Sequence, residues 1–351
     1  MNPMKMKQSL DPREGLRPLV ERLFEGHDLA PREAERALAE LVSESTPPAL
    51  KAAFLVALRS KGETSAEMAA FARGLLQRAQ RVNRSSAISC VDTAGTGGDG
   101  QQSFNLSTAA ALLVSSLGIA VAKHGNGSNS SRCGSSDLAR ALGLPMPSDP
   151  AEASTRLARD GFVFLHAPHY HPALAALAGV RRELGLRTVF NLLGPLVNPA
   201  SPSHQLNGAA TPEAARCLAG AQAELGRCAF VVHGCGFDEA TPCGPFQVHA
   251  VAAGRDTELT FTPRDFGLQE CRPEDLAGGG PEENAARLVG LFEGREKGPL
   301  RDAVCLNAAL VLLLLARESD PRVALNRAAG ALDGGLAASA LARLSPHGVA
   351  S

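Results

Sequence analysis

Apolar residues recur at helical spacing through the first quarter of the chain. Four successive segments show this pattern: "LRPLVERLFEGHDL", "APREAERALAELVSES", "TPPALKAAFLVALRSKG" and "TSAEMAAFARGLLQRAQ". In the last of them Thr64 stands three residues before Glu67, which is the pattern of a capping box at a helix start. The spacing therefore predicts four consecutive helices that form a small helical domain.

Beyond that region, short apolar runs alternate with polar loops and further helical segments. Strands are predicted at six runs: "AISCVD", "IAVAKHG", "GFVFLHA", "CAFVVHG", "FQVHAVAA" and "TELTFT". This alternation predicts an α/β fold with a mostly parallel sheet flanked by helices on both faces. We place the helical domain at residues 1–83, leave the order of residues 1–15 open, and place the α/β domain at residues 84–351.

The composition disfavours several classes of protein. A formal net charge of −1 over 351 residues argues against nucleic-acid binding. No apolar run approaches the ~18 residues of a membrane span, and the N-terminus lacks the apolar core of a secretory signal. The eight cysteines form no C-x-x-C pair, which disfavours structural zinc and a disulfide framework. These features predict a cytoplasmic protein with free thiols.

A glycine-rich loop, "DTAGTGGDGQQSFNLST" at residues 92–108, matches the dinucleotide pattern G-x-G-x-x-G at residues 95–100. A dinucleotide fold begins its helix at the glycines, whereas here the helix is predicted to begin only near Ser107. The next strand ends in Lys123 rather than in the acidic residue that holds the ribose of NAD. Asp99 inside the loop would also repel a pyrophosphate unless a cation lay between them. The loop therefore disfavours NAD.

The same loop suits a phosphorylated sugar bridged by a metal ion. Glycines let backbone N–H groups approach an anion closely. Asn105, Ser107 and Thr108 add side-chain donors at a helix N-terminus, and Lys123 adds a positive charge from the next strand end. A plain glycine turn is the alternative, but it would leave this density of polar groups unexplained.

Three further polar segments follow strands. The loop "KHGNGSNSSRCGSSD" (123–137) lies at the carboxyl end of the predicted sheet, where open α/β sheets bind ligands. Asp238 and Glu239 follow an apolar strand and suit Mg²⁺, although such a pair is also common in solvated turns. The histidines of "HAPHYH" (166–171) resemble a transition-metal cluster, but histidines that line a pocket fit their spacing better.

Taken in order, these motifs resemble the anthranilate phosphoribosyltransferase family. The matching segments, which span residues 16–343, are "LAPREAERAL", "LVALRSKGET", "GTGGDGQQSFNLSTA", "VAKHGN", "SSDLARALG", "APHYHPAL", "VRRELGLRTVFNLLGPLVNPA", "FDEA", "ENAARLVGLFEG" and "LNAAL". The resemblance implies a small helical domain, a larger α/β domain and an active site in the cleft between them. It also implies that a segment near residues 175–200 packs with the helical domain, and that the protein is a homodimer.

The implied reaction belongs to tryptophan biosynthesis. It transfers the 5-phosphoribosyl group of phosphoribosyl pyrophosphate (PRPP) to the amine of anthranilate and releases pyrophosphate. Mg²⁺ is required, with two ions expected per site. No side chain is identified as a general base.

The resemblance assigns site residues by position. The pyrophosphate end of PRPP is assigned to Gly95, Gly98, Asp99, Ser103, Asn105, Leu106, Ser107 and Thr108. The phosphosugar is assigned to Lys123, His124, Gly125, Asn126, Gly127, Ser128, Asn129, Ser130, Ser131 and Ser135. Anthranilate is assigned to Gly95, Asn126 and Arg181, with His124 and His171 nearby, because the guanidinium fork of an arginine pairs with two carboxylate oxygens. The metal ligands are Ser107, Asp238 and Glu239.

One position departs from the family pattern, because Gly127 stands where the family loop has arginine. This loss puts efficiency and acceptor identity in question, and Arg132 is a candidate to return the charge. Three alternatives therefore stay open: a related transferase for another aromatic amine, a nucleoside phosphorylase of the same fold, and a non-catalytic relative that binds nucleic acid.

Overall fold

The computed structural model describes residues 15–85, 88–127 and 132–345. The predicted ligand contacts at residues 128–131, and the segment 1–14, lie outside the described residues. Four helices open the chain: α1 (Arg17–Phe24), α2 (Pro31–Leu41), α3 (Pro48–Lys61) and α4 (Ser65–Arg78). The capping box at α4 is confirmed, since the Glu67 N–H donates to Thr64 Oγ1 at 3.2 Å and the Thr64 N–H donates to Glu67 Oε2 at 2.9 Å.

A seven-stranded sheet forms the centre of the remaining chain. Its strands are β1 (Cys90–Gly95), β2 (Ala120–Gly125), β3 (Phe162–His166), β4 (His204–Gly208), β5 (Cys228–Gly234), β6 (Phe246–Ala252) and β7 (Arg255–Phe261). The order across the sheet is β3-β2-β1-β4-β5-β6-β7. The strands β1 to β5 pair in parallel with one another, and β6 pairs antiparallel with both β5 and β7. The predicted mostly parallel sheet is confirmed, and β4 is a strand that the apolar pattern did not predict.

Eleven further helices are labelled within the described residues. They are α5 (Leu106–Ser116), α6 (Ser135–Ala141), α7 (Pro150–Asp160), α8 (Ala167–Tyr170), α9 (Ala175–Leu184), α10 (Val189–Leu192), α11 (Pro212–Glu224), α12 (Pro281–Phe292), α13 (Pro299–Leu314), α14 (Pro321–Asp333) and α15 (Leu336–Leu344). Helix α13 contains the apolar segment "LNAAL" and continues beyond it at both ends. Its side chains and those of α5 belong to one buried hydrophobic cluster, called here the main core. None of the helices in the described residues is long and apolar enough to cross a membrane.

A second core joins the N-terminal helices to the rest of the protein. Side chains of α1 to α4 share one buried cluster with Leu177 of α9, Phe190 of α10 and Leu218 of α11. The buried Lys51 of α3 also donates from Nζ to the Ala176 carbonyl at 3.3 Å. The segment near 175–200 thus contacts the helical domain. The domain boundary between residues 83 and 84 stays a prediction.

The register of the parallel strands brings several chain segments to one edge of the sheet. Gly95 at the end of β1 stands opposite Gly208 at the end of β4, and Gly208 in turn stands opposite Val232 in β5. Because parallel strands end at the same edge, the loops after β1, β2 and β5 meet there.

Candidate active site

The glycine-rich loop after β1 turns sharply before α5 begins. Gly97, Gly98 and Gly100 have φ values of 63°, 73° and 79°, a region that side chains with a Cβ seldom adopt. The N–H of Gly97 donates to Asp238 Oδ2 at 2.6 Å. The loop is therefore fixed directly against the carboxylates that follow β5.

The N-terminus of α5 points its first turn at the same carboxylates. The Ser107 N–H donates to Glu239 Oε1 at 3.4 Å, and the hydroxyl of Thr93 in β1 donates to the Ser107 carbonyl at 2.8 Å. Thr108 is fully buried, and its hydroxyl has no hydrogen-bond partner among the described residues. The positive end of the helix dipole makes such a terminus attractive to an anion.

The side chain of Asn105 is engaged by the protein itself. Its Nδ2 donates to the Cys133 carbonyl at 3.0 Å, and its Oδ1 accepts from Asn284 Nδ2 at 3.0 Å. Leu106 is buried in the main core, so it offers a ligand only backbone atoms. Ser103 forms an isolated β-bridge with Ala277, which anchors the far end of the loop.

Three carboxylates meet at the sheet edge. Asp99, Asp238 and Glu239 each offer an oxygen within 4.8 Å of the others, and no other such group of His, Cys, Asp or Glu occurs among the described residues. Burial, and then repulsion from Asp99, raises the pKa of Asp238 to about 7. Burial and the charge of Asp238 raise the pKa of Glu239 well above its usual range. Such mutual repulsion is relieved when a cation binds.

This donor set fits Mg²⁺. All the candidate ligand atoms are hard oxygens, as Mg²⁺ prefers, and Glu239 Oε2 is buried with no hydrogen-bond partner in the described structure. Asn307 of α13 steadies the segment by donating from Nδ2 to the Ala240 carbonyl at 2.8 Å. By contrast, the histidines of residues 166–171 do not gather into a three-ligand metal group in the described chain.

Lys123 lies in β2, the strand next to β1, and is only 1 % exposed. Its Nζ donates to the Thr93 carbonyl. Burial lowers its pKa, which the charges of Asp92, Glu239 and Asp238 raise in part. Asp92 is itself held by the His124 N–H at 3.2 Å and by Asn198 Nδ2 at 2.8 Å. The lysine thus brings a buried amine to the carboxylate side of the sheet.

Two histidines meet behind the loop after β2. The rings of His124 and His171 lie 5.4 Å apart, edge to face, and His171 Nε2 lies 2.8 Å from the Val197 carbonyl. Burial, and then the charge of His171, lowers the pKa of His124 to about 3. Burial also lowers the pKa of His171. Both imidazoles are therefore neutral near pH 7.

The loop after β2 closes onto the start of α6. The Asn126 N–H donates to Ser135 Oγ at 3.2 Å, and a Cβ on Gly125 would lie 2.2 Å from that same oxygen. Among the described residues, a Cβ on Gly127 would come no nearer to a neighbour than 3.6 Å, at Asp137 Oδ1. Gly125 is thus required by packing, whereas Gly127 is not.

Two family models match the chain. The model of the glycosyl transferase family α/β domain matches residues 87–338, and that of the glycosyl transferase family helical bundle domain matches residues 17–79. The chain is 42% identical over 317 residues to the anthranilate phosphoribosyltransferase of Methanosarcina barkeri, covering 90% of this chain and 86% of that protein. The chain belongs to the anthranilate phosphoribosyltransferase family.

Solved structures of anthranilate phosphoribosyltransferases have the same fold as this chain. The crystal structure of the Thermus thermophilus member matches with a TM-score of 0.87 at 40% identity, over 93% of this chain and 98% of that one. The Saccharomyces cerevisiae member in complex with PRPP and Mg also matches with a TM-score of 0.87, at 27% identity, over 95% of this chain and 98% of that one. The predicted family and fold are confirmed.

Arg181, which is predicted to pair with the carboxylate of anthranilate, lies in the last turn of α9. Its guanidinium carbon lies 5.7 Å from the ring centre of Phe190, in a cation–π arrangement. Burial lowers its pKa. Stacking on the ring leaves the guanidinium edge able to pair with a carboxylate. Which ligand each predicted residue contacts stays a prediction.

Sequence reasoning missed two features of this anthranilate phosphoribosyltransferase site. The resemblance assigns Asp99 only to the pyrophosphate end of PRPP, yet its carboxylate lies with those of Asp238 and Glu239. Arg187 was not selected, yet its guanidinium donates to the carbonyls of Gly97 and Gly98. The only available signal for Arg187 was its place in the motif that carries Arg181.

Proposed function

We propose that the chain transfers the 5-phosphoribosyl group of PRPP to the amine of anthranilate, giving N-(5-phosphoribosyl)anthranilate and pyrophosphate. One observation carries the proposal: three carboxylates, an anion-facing helix start and a glycine loop converge at the carboxyl edge of the sheet. This combination suits a diphosphate ester that is bound together with a divalent cation. The relatives named above support the same reaction.

The pyrophosphate end of PRPP is assigned to the glycine loop and the start of α5. Asp238, Glu239 and the Ser107 hydroxyl would hold Mg²⁺, and Asp99 is added to them because its carboxylate belongs to the same group. Two ions per site are proposed, since three mutually repelling carboxylates exceed what one ion needs. When bound, Mg²⁺ neutralises the negative charge that builds up on the leaving pyrophosphate.

The phosphosugar is assigned to the loop after β2 and the start of α6. Asn126 and Ser135 there are already joined through Ser135 Oγ, which both accepts from the Asn126 N–H and donates to the Asn126 carbonyl at 3.2 Å. A sugar bound by this pair meets a loop of fixed shape, which reduces the ordering cost of binding. Lys123, in the strand that leads into this loop, would contribute its buried amine.

Anthranilate is assigned to the side of the loop that faces α9. Arg181 pairs with the carboxylate of the acceptor, and Gly95 and Asn126 border its ring. Burial lowers the pKa values of His124 and His171 and keeps both side chains neutral. They would therefore lie beside the amine of anthranilate as uncharged groups. A neutral amine is the nucleophile that this reaction needs, and no general base is assigned.

The rate is expected to come mainly from placement and charge. Cleavage of the bond between C1 and pyrophosphate leaves positive charge on the ribose and negative charge on the leaving group. The N–H groups of Gly98 and Asp99 and the positive end of the α5 dipole would face the leaving group, where they stabilise its charge. Holding the amine against C1 converts a bimolecular step into a step within one complex.

The test follows the fluorescence of anthranilate in the purified protein with PRPP and Mg²⁺. Loss of fluorescence that requires both additions supports the proposal, and Asp238→Asn should abolish it. Glu258→Gln, which removes an exposed carboxylate from β7, is the matched control and should leave the rate unchanged. Turnover of other aminobenzoates but not anthranilate would favour the related transferase. Binding of duplex DNA without PRPP turnover would favour the nucleic-acid-binding relative.

We also infer that the protein is a homodimer formed through its helical domain. Phe24 of α1 is 68% exposed and Val56 of α3 is 38% exposed, and these two helices pack against each other. Exposed apolar side chains on neighbouring helices suit a contact with a second copy. Phe24→Glu should convert the dimer to a monomer in sedimentation, whereas Leu336→Glu on α15 should not.

A cytoplasmic location is proposed on the ground that the reaction consumes PRPP, an intracellular metabolite. Fractionation of cells that express the chain should recover it with cytoplasmic enzymes. Recovery with the membrane or the medium would contradict this location.

A further inference from the structure

Arg187 lies in the short connection between α9 and α10, 90 residues along the chain from Gly97. Its Nη2 donates to the Gly97 carbonyl at 2.7 Å, and its Nη1 donates to the Gly98 carbonyl. A Cβ on Gly98 would lie 1.5 Å from that Nη1. The guanidinium therefore sits directly against the loop, in space that any larger residue at 98 would occupy.

These two hydrogen bonds fix the orientation of the Gly97–Gly98 and Gly98–Asp99 peptide groups. In a trans peptide the carbonyl and the following N–H point to opposite sides of the chain. When Arg187 holds the carbonyls of Gly97 and Gly98, the N–H groups of Gly98 and Asp99 must turn away from it. Backbone N–H groups presented in this way, in a loop with positive φ, are the usual means of binding a phosphate.

The opposite side of the loop is held by a different partner. Asp238 Oδ2 accepts from the Gly97 N–H at 2.6 Å. The loop is thus fixed by a carboxylate through its first N–H and by a guanidinium through its next two carbonyls. Without Arg187, these two carbonyls would lose two charge-assisted hydrogen bonds, and three glycines with positive φ would be free to take other conformations.

We propose that Arg187 is a positioning residue, which holds the glycine loop in the shape that presents the N–H groups of Gly98 and Asp99 to the pyrophosphate of PRPP. The inference rests on the proposed function of the loop. Arg187 acts through the loop rather than by touching PRPP, and it ties the loop to the segment that also carries Arg181.

The test compares Arg187→Ala with Arg182→Ala, which removes an exposed arginine from the end of α9. Arg187→Ala should raise the KM for PRPP about tenfold or more, as expected for loss of a charge-assisted pair, while the KM for anthranilate changes little. In the absence of substrate, amide hydrogen exchange of residues 95–102 should become faster. Arg182→Ala should change neither quantity.

Three outcomes decide the matter. Unchanged loop exchange with a raised KM for PRPP would overturn the proposal and indicate a direct contact with the substrate. Unchanged values of both would overturn it outright. Arg187→Lys separates charge from geometry, because one ammonium cannot hold two carbonyls as the fork does; recovery of the wild-type KM by lysine would also overturn the proposal.

The proposed function can fail separately. If the wild-type protein turns over no PRPP, the assignment of the reaction is lost, whatever the variants do. The exchange comparison in the substrate-free protein then decides by itself whether Arg187 orders the loop. A protein with Arg187→Ala that does not fold is replaced in these measurements by the one with Arg187→Lys.

Discussion

Gly208 offers a demanding test of how the carboxylate site is built. It ends β4, opposite Gly95 in β1. A Cβ placed on Gly208 would lie 1.4 Å from the backbone carbonyl oxygen of Asp238 and 2.5 Å from its carbonyl carbon. Real Cβ atoms essentially never come closer than 3.0 Å to another heavy atom, so Gly208→Ala requires the Asp238 peptide to move by about 1.6 Å.

Gly95→Ala makes an informative contrast. Its Cβ would meet the Asp238 side chain instead, with Oδ2 at 2.2 Å, and a side chain can rotate where a peptide cannot. We therefore expect Gly208→Ala to cost about 3 kcal/mol of unfolding free energy or more, at the upper end of overpacking effects. Gly95→Ala should cost less stability but should still lose activity, because it displaces the Asp238 oxygen that is proposed to bind Mg²⁺.

The assay is the urea midpoint of each variant, measured without Mg²⁺, together with the rate of anthranilate consumption. Gly330→Ala is the control, since no described residue lies within 4 Å of its added Cβ and the glycine is exposed within α14. That change should raise stability by up to about 1 kcal/mol. A wild-type urea midpoint for Gly208→Ala would refute the reasoning, because it would mean that the strand ends are not in close contact.

Other predictions concern charge and the missing arginine. Burial lowers the pKa of His124 from 6.5 in the unfolded chain to about 3 in the folded protein. As the pH drops, His124 is therefore protonated first in the unfolded chain. The free energy of unfolding should then decrease below about pH 6.5, by about 2 kcal/mol at pH 5. His124→Asn should flatten this slope in urea titrations, and an unchanged slope would contradict the assignment. Asp238, whose pKa rises from 3.8 to about 7, costs stability as the pH increases through that range. At about pH 8 without Mg²⁺, Asp238→Asn should therefore raise the Tm, and it should lose the further rise that Mg²⁺ gives the wild-type protein. Gly127→Arg should lower the KM for PRPP or anthranilate, since a Cβ at this position would make only ordinary contacts with described residues, the nearest at 3.6 Å from Asp137 Oδ1; unchanged constants would argue against a lost contact.

The elements with a local signature were predictable from the sequence. The helices of the first domain follow from apolar spacing and from the capping pair Thr64 and Glu67. Strand β5 follows from an apolar run, and the carboxylates that come after it mark the sheet edge. These features need only neighbouring residues to be recognised, because burial on one face imposes a short period on the sequence.

Strand β4 was missed for a physical reason. Gln205 and Asn207 are fully buried within it, so it shows no apolar run. The side-chain oxygens of both residues accept from Gln222 of α11, whose Nε2 donates to Gln205 Oε1 at 3.0 Å and to Asn207 Oδ1 at 2.6 Å. Their amide nitrogens donate to the carbonyls of Pro195 and Ala94. A buried polar network of this kind depends on partners distant in sequence, which a pattern along one strand does not contain.

The candidate site shows the same division. Asp238 and Glu239 are suggested as metal ligands by their place after a strand, and the family resemblance assigns them that role. Asp99 reaches them across 139 residues, and Arg187 reaches Gly97 across 90. These pairings follow from the order of the strands in the sheet and from the route of the chain after α9, neither of which has a local signature.

The buried cluster that unites α1 to α4 with α9, α10 and α11 has a consequence for recombination within the family. Two family models divide the chain into residues 17–79 and 87–338, which invites the exchange of one module between relatives. Leu55 and Phe71 belong to the first module, whereas Leu177 and Leu218, in the same cluster, belong to the second. A chimera joined near residue 83 would inherit the two halves of one core from different parents, so its two modules must be chosen as a matched pair.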